Sequence, residues 1–135
     1  MRILFLGDVV GRSAREAVVK EIPEIRRNFS LDFVIVNGEN AAGGFGITEK
    51  ICEDFFSSGI DCITTGNHVW DHKDAEDIAF KNLKFLRPSN LPKDSPGNGE
   101  GVFLKNGKSF IVLNLMGNVF MKRCDDVFVE AKKFI

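Results

Sequence analysis

Three short, unbroken apolar runs, RILFL (2–6), FVIV (33–36) and CITT (62–65), each stop abruptly in glycine and polar residues. A strand that is apolar on both faces has to be covered on both. Such runs alternating with helix-length stretches predict a parallel sheet with helices packed on it. The first intervening stretch carries Val18, Ile22, Ile25 and Phe29 at helical spacing, and Pro23 is expected to kink or shorten that helix. Ser13 and Glu16, three apart, read as a capping box at its start. A second helix is expected from about Thr48 to Ser58, burying Ile51, Phe55 and Phe56. A third, capped by Asp71 or Asp74, turns Ile78 and Phe80 toward the core.

The alternation ends after Phe85-Leu86. Gly101–Lys105 and Ser109–Leu113 flank Asn106-Gly107, the strongest two-residue hairpin signal. The expected architecture is therefore α/β, with a mixed, mainly parallel sheet flanked by helices. Pro88, Pro92 and Pro96 punctuate a loop, not a linker, so residues 1–135 form one domain. Asp125-Asp126 caps a last helix that starts at Val127 and stops after about two turns, as if the domain were cut in mid-course.

Composition narrows the class. Apolar content of 44% and charged content of 27% are ordinary for a globular chain. A formal charge of −1 excludes strongly electrostatic partners such as duplex DNA or an anionic membrane surface. No apolar run approaches the ~20 residues that span a bilayer, and MRILFLGDVVGR lacks the features of a signal peptide. Cys52, Cys62 and Cys124 are odd in number and widely spaced, which fits buried thiols in a reducing cytoplasm and not a disulfide framework or zinc knuckle.

The chemistry gathers where the strands end. The first run leads into Asp8, the second into Glu39 and Asn40, the third into Asn67 and His68. In an open α/β sheet the carboxyl ends of the strands lie on one edge, where ligands bind. Two carboxylates, two amides and an imidazole on one edge are the oxygen and nitrogen donors that hard or borderline divalent cations favour. Glu39, after the middle strand, is placed to bridge two ions, and paired ions clamp the attacking and leaving oxygens of phosphoryl transfer. His72 reads as a solvated residue. Arg12 and the glycine-rich loop around Gly43 are weaker candidates for substrate binding. A flavodoxin-like nucleotide-binding domain shares the alternation but explains neither Glu39 nor the Asn67-His68 pair.

LFLGDVVGR (4–12), VNGENAAGG (36–44), GITEKI (46–51), TTGNHVWD (64–71), RPSNLP (87–92) and DDVF (125–128) together resemble the YmdB-like branch of the calcineurin-like metallophosphoesterases. The resemblance implies a partial αββα sandwich and a binuclear centre of iron, manganese or zinc. It implies hydrolysis of 2′,3′-cyclic nucleotides or RNA-derived phosphodiesters at the 2′ bond, leaving a 3′-phosphate. Carried onto this chain, Asp8 binds one metal, Glu39 bridges, Asn67 binds the other, and Asn40 is a further ligand or oxyanion partner. His68 is the general acid. The family's second half supplies histidine ligands from Asp-Phe-His-Ala-Glu and Gly-Thr-His-Thr-His blocks, neither of which occurs here. The expected partners are accordingly a complementary C-terminal half or, for an inactive assembly module, further copies of the chain joined through an exposed sheet edge.

Overall fold

The computed structural model describes residues 1–135. Four parallel strands, β1 (Ile3–Leu6), β2 (Phe33–Asn37), β3 (Cys62–Thr64) and β4 (Phe85–Leu86), lie side by side in chain order. Helices α1 (Gly11–Asn28), α2 (Glu49–Ser57) and α3 (Ala75–Lys81) provide the crossovers. Register is fixed by Ile3–Leu6 against Phe33–Val36 and by Ile35–Asn37 against Cys62–Thr64.

Alternate residues along a strand point to opposite faces, and the sheet uses both. Val34, Val36 and Ile63 join Ile22, Ile51 and Phe55 in the larger core beneath the helices. Phe33, Ile35, Cys62 and Leu86 form a smaller core on the other face. That face is covered by a hairpin of β5 (Glu100–Lys105) and β6 (Lys108–Leu113), turning at Asn106-Gly107. The Phe33 ring meets Phe103 at 4.8 Å and Phe110 at 4.9 Å, both edge-on. The antiparallel pair is thus a second small sheet laid over the first, not two strands added to its edge. Its turn is tied down by Asn106, whose side chain donates to Asp32 at 2.5 Å. A short final helix, α4 (Val127–Ala131), is capped by Asp126, which accepts from the Phe128 and Val129 amides at 2.9 Å each.

Several local expectations give way to tertiary contacts. The capping box does not form: α1 begins at Gly11, two residues before Ser13, with Val10 as an N-cap that offers no side-chain bond. The Val9 and Gly11 amides instead reach the carbonyls of Asn37 and Asn40, so the strand exit does the work of a cap, and Glu16 pairs with Arg12. Pro23 does not shorten α1, which continues to Asn28 with Ile22 fully buried beside it. Phe29, at its C-cap, is exposed. Thr48 caps α2 as expected, accepting from the Ile51 amide, but Phe56 is only half-buried. Asp74 precedes α3 without a side-chain cap bond. Phe80 faces solvent, because Ala75, Ile78 and Ala79 already form the buried stripe of that short helix. Cys52 and Cys62 are buried thiols, both pushed up to about 12 by desolvation, whereas Cys124 is half-exposed.

Candidate active site

Parallel register carries the ends of β1, β2 and β3 to one edge, with the exit of β2 in the middle. Asp8 follows a cis peptide bond from Gly7 and is exposed. Its Oδ2 accepts from the Asn40 Nδ2 at 2.6 Å, which joins the first two strand exits directly. The Asn40 Oδ1 is buried and has no hydrogen-bond partner. A buried, unpaired amide oxygen is costly in a folded protein. It is the free acceptor of a side chain whose amide nitrogen is already committed to Asp8, and a cation is one group that would satisfy it.

Glu39 occupies a cradle made by the third strand exit. A Cβ placed on Gly66 would lie 1.6 Å from the Glu39 Oε2, so the carboxylate fills the space that any side chain at 66 would need. Burial and the neighbouring Asp8 charge raise the Glu39 pKa; the charge of His68 and hydrogen bonds from the Asn37 side chain and His68 backbone oppose that rise. A desolvated carboxylate held next to a like charge is a perturbed group of the kind that gathers at functional sites. Asn67 lines the same cleft as Glu39 and Gly66. The five side chains expected to share an edge are therefore contributed by consecutive strand exits. No three His, Cys, Asp or Glu side chains cluster closely enough to hold an ion by themselves. The edge instead combines two carboxylates, Asp8 and Glu39, with two amides, Asn40 and Asn67.

The cleft, about 580 Å³, runs from Glu39 and Asn67 to the segment after β6, Asn114 to Gly117. Two buried asparagines that drew no notice in the sequence hold that wall. The Asn114 amide donates to the Thr65 and Leu86 carbonyls, each at 2.9 Å. Asn90, wholly buried, donates to Met116 and Asp125 and accepts from the Met116 amide.

His68 is oriented by a residue read in the sequence only as a possible helix cap. Its Nδ1 lies 2.5 Å from the Asp71 Oδ2. With the Nδ1 proton shared with Asp71, Nε2 is the ring nitrogen left free. The i, i+3 spacing of a histidine and a carboxylate was the available signal. The Phe45 ring stands edge-to-face against the imidazole at 5.1 Å. His72 accepts from the Asp74 amide, outside this arrangement. Gly43 has a φ of +75° with open space around it. Arg12 pairs with Glu16 at 2.6 Å in the groove between α1 and α2, outside the Glu39 cleft.

The chain matches the family model described as "YmdB-like protein" over residues 4–135. It is 44% identical over 135 residues to the 2′,3′-cyclic-nucleotide 2′-phosphodiesterase of Bacillus subtilis (strain 168), covering all of this chain and 51% of that protein. A crystal structure of a hypothetical protein from Thermus thermophilus superposes with a TM-score of 0.92 at 36% identity, over 99% of this chain and 52% of that one. A Mycoplasma pneumoniae protein described as a novel phosphatase gives a TM-score of 0.88 at 29% identity, over 98% and 49%. The chain spans about half the length of the curated relatives it matches. No helix is long and apolar enough to cross a membrane. Strand exits carrying Asp8, Glu39-Asn40 and Asn67-His68, on a fold shared with a phosphatase and with a sequence related to a phosphodiesterase, leave one assignment: this chain belongs to the YmdB-like family of phosphoesterases.

Proposed function

We propose that this chain provides one wall of a metal-dependent phosphodiesterase site that hydrolyses 2′,3′-cyclic nucleotides at the 2′ oxygen, leaving a 3′-phosphate. The observation that carries this is the Glu39 carboxylate, desolvated against Gly66 and pressed by the Asp8 charge. The substrate class comes from the name of the Bacillus subtilis relative. Asp8, Glu39, Asn40 and Asn67 would hold two divalent ions (iron, manganese or zinc), with Glu39 between them. When bound, such ions supply positive charge opposite the phosphoryl oxygens and make water a stronger acid. The unpaired Asn40 Oδ1 and the two carboxylates fit that role, and further ligands would come from the part of the relatives' length that these residues do not match. The free thiols support a reducing, cytoplasmic setting.

The chain's own residues then act as follows. Asn40 fixes Asp8 by its amide, and Gly66 leaves room for Glu39. Asp71 holds Nδ1 of His68 so that the protonated ring presents Nε2–H to the departing 2′ oxygen. As the bond from phosphorus to that oxygen breaks, the oxygen takes the Nε2 proton, while the water that adds to phosphorus gives its proton to bulk solvent, from which His68 is then reprotonated. The test is cleavage of 2′,3′-cyclic AMP with Mn²⁺, by the chain alone and with a complementary C-terminal half of a relative. Expected is complementation-dependent release of 3′-AMP, lost by about 10²–10⁴-fold in His68→Ala. Release of 2′-AMP, or an unaffected His68→Ala variant, would refute the assignment.

One observation favours a second reading, an assembly module. The outer face of the hairpin exposes Val102 (71%), Leu104 (72%) and Ile111 (52%), an apolar surface on a short sheet with open edges. Under this reading the chain self-associates, and Leu104→Glu shifts light scattering from oligomer to monomer without lowering thermal stability. A wild-type chain that stays monomeric at high concentration excludes it.

A further inference from the structure

Phe45 is an aromatic ring presented to solvent, 63% exposed, yet it is not at the tip of a free loop. The turn that carries it is closed by the Gly44 amide on the Asn40 carbonyl at 2.8 Å and the Ala42 amide on the Gly46 carbonyl at 2.9 Å. Gly46 is pressed onto the following segment. A Cβ there would meet the His72 backbone nitrogen at 3.1 Å and the His68 carbonyl at 3.3 Å, and its φ of +72° admits glycine. The glycine-rich turn is thus clamped between Asn40 and the His68 segment, with Phe45 held against the His68 ring at 5.1 Å and 89°. An edge-to-face contact engages the ring on one side and leaves a face open.

We infer that Phe45 is a nucleobase-stacking platform, which selects base-bearing phosphodiesters over base-free ones. The inference rests on the reading of His68 as the group that protonates the 2′ oxygen. In a ribonucleoside the 2′ oxygen and the base are carried on adjacent ribose carbons. A substrate whose 2′ oxygen is at His68 therefore has its base within a side chain's reach of that imidazole. Phe45 is the exposed aromatic ring there, and every base offers a π-face to it. The sequence carries no tyrosine and a single tryptophan, so an exposed phenylalanine beside the catalytic imidazole is the ring available for stacking. This also gives the AAGGFG turn a role as a pedestal for a ring, where a lysine-free glycine loop is weak as a phosphate cradle.

The experiment titrates the chain, with diamagnetic Zn²⁺ present, against 2′,3′-cyclic AMP, ribose 2,3-cyclic phosphate and inorganic phosphate. NMR of labelled phenylalanine is read alongside affinity. Cyclic AMP should shift the Phe45 ring signals by ring current, and the two base-free probes should leave them in place. Phe45→Ala should weaken cyclic AMP about 5- to 150-fold, the span of one lost base stack. Phe45→Trp should retain affinity, and both variants should bind inorganic phosphate and melt as the wild type does. Equal affinity for cyclic AMP and its base-free analogue, or a Phe45→Ala variant that binds cyclic AMP normally, overturns the platform while leaving the hydrolytic reading intact. Binding of none of the three probes by the wild type, both alone and with the complementary C-terminal half, overturns both.

Discussion

Gly66→Ala isolates the placement of Glu39 from its chemistry. The added methyl would stand 1.6 Å from Oε2, 2.5 Å from Cδ and 2.8 Å from Oε1, and real Cβ atoms essentially never come within 3.0 Å of another heavy atom. All three nearest atoms belong to the Glu39 carboxylate, so that group has to leave the cradle. The backbone at 66 does not lie in the left-handed region, so alanine is tolerated there. It removes freedom from the unfolded chain, a gain of about 0.4–1 kcal/mol. The metal-free protein should therefore melt at or above the wild-type temperature. Divalent-ion affinity should fall by at least the 10–100-fold typical of lost ligand support, about 1.4–2.7 kcal/mol. Calorimetric titration with Mn²⁺ reads the affinity and thermal unfolding in EDTA reads the fold. The Glu39→Gln/Gly66→Ala double variant should bind no worse than Glu39→Gln alone, because both changes remove the same interaction. Wild-type Mn²⁺ affinity in Gly66→Ala, or additive losses in the double variant, would refute the cradle argument.

Three further outcomes follow from the same structure. Folding raises the Glu39 pKa, so in EDTA the native state holds this proton more tightly than the unfolded chain. Stability should fall as pH rises from the ordinary value of 4.5 through the raised one; denaturation of Glu39→Gln across that range should lack this component, and matching slopes for the two proteins would contradict it. Asp71→Asn should lower kcat with little change in KM, by less than the loss in His68→Ala, since it disturbs the orientation of the imidazole without removing it; single-turnover kinetics on the complemented enzyme would show this. Phe55→Ala, at a fully buried ring in the larger core, should cost about 3–5 kcal/mol in urea denaturation with the edge residues untouched.

The local pattern carried a good deal of this protein. Continuous apolar runs can only be satisfied by covering both faces, which is why FVIV and CITT specify a parallel sheet without any knowledge of partners. Asn106-Gly107 encodes its hairpin through backbone conformations that few other pairs adopt. Once the strands are parallel and adjacent, Asp8, Glu39-Asn40 and Asn67-His68 must emerge on one edge, so their arrival there was legible before their geometry.

Other features were decided by contacts between residues far apart in the chain. Ser13 lost its capping role because the Asn40 carbonyl, nearly thirty residues away, supplies the acceptor for Gly11. Phe80 lost its place in the core because Ala75, Ile78 and Ala79 occupy the buried face of α3. The hairpin settled over the sheet because Phe103 and Phe110 close on Phe33. The void at Gly66, the carboxylate behind His68 and the ring in front of it were likewise invisible, because nothing in a one-dimensional string states what fills the space beside a glycine. Sequence by itself determined which groups reach the sheet edge, since strand direction follows from local hydrophobicity and chain connectivity. The tertiary structure alone decided how those groups face one another, since desolvation and hydrogen-bond partners exist only once distant segments have packed.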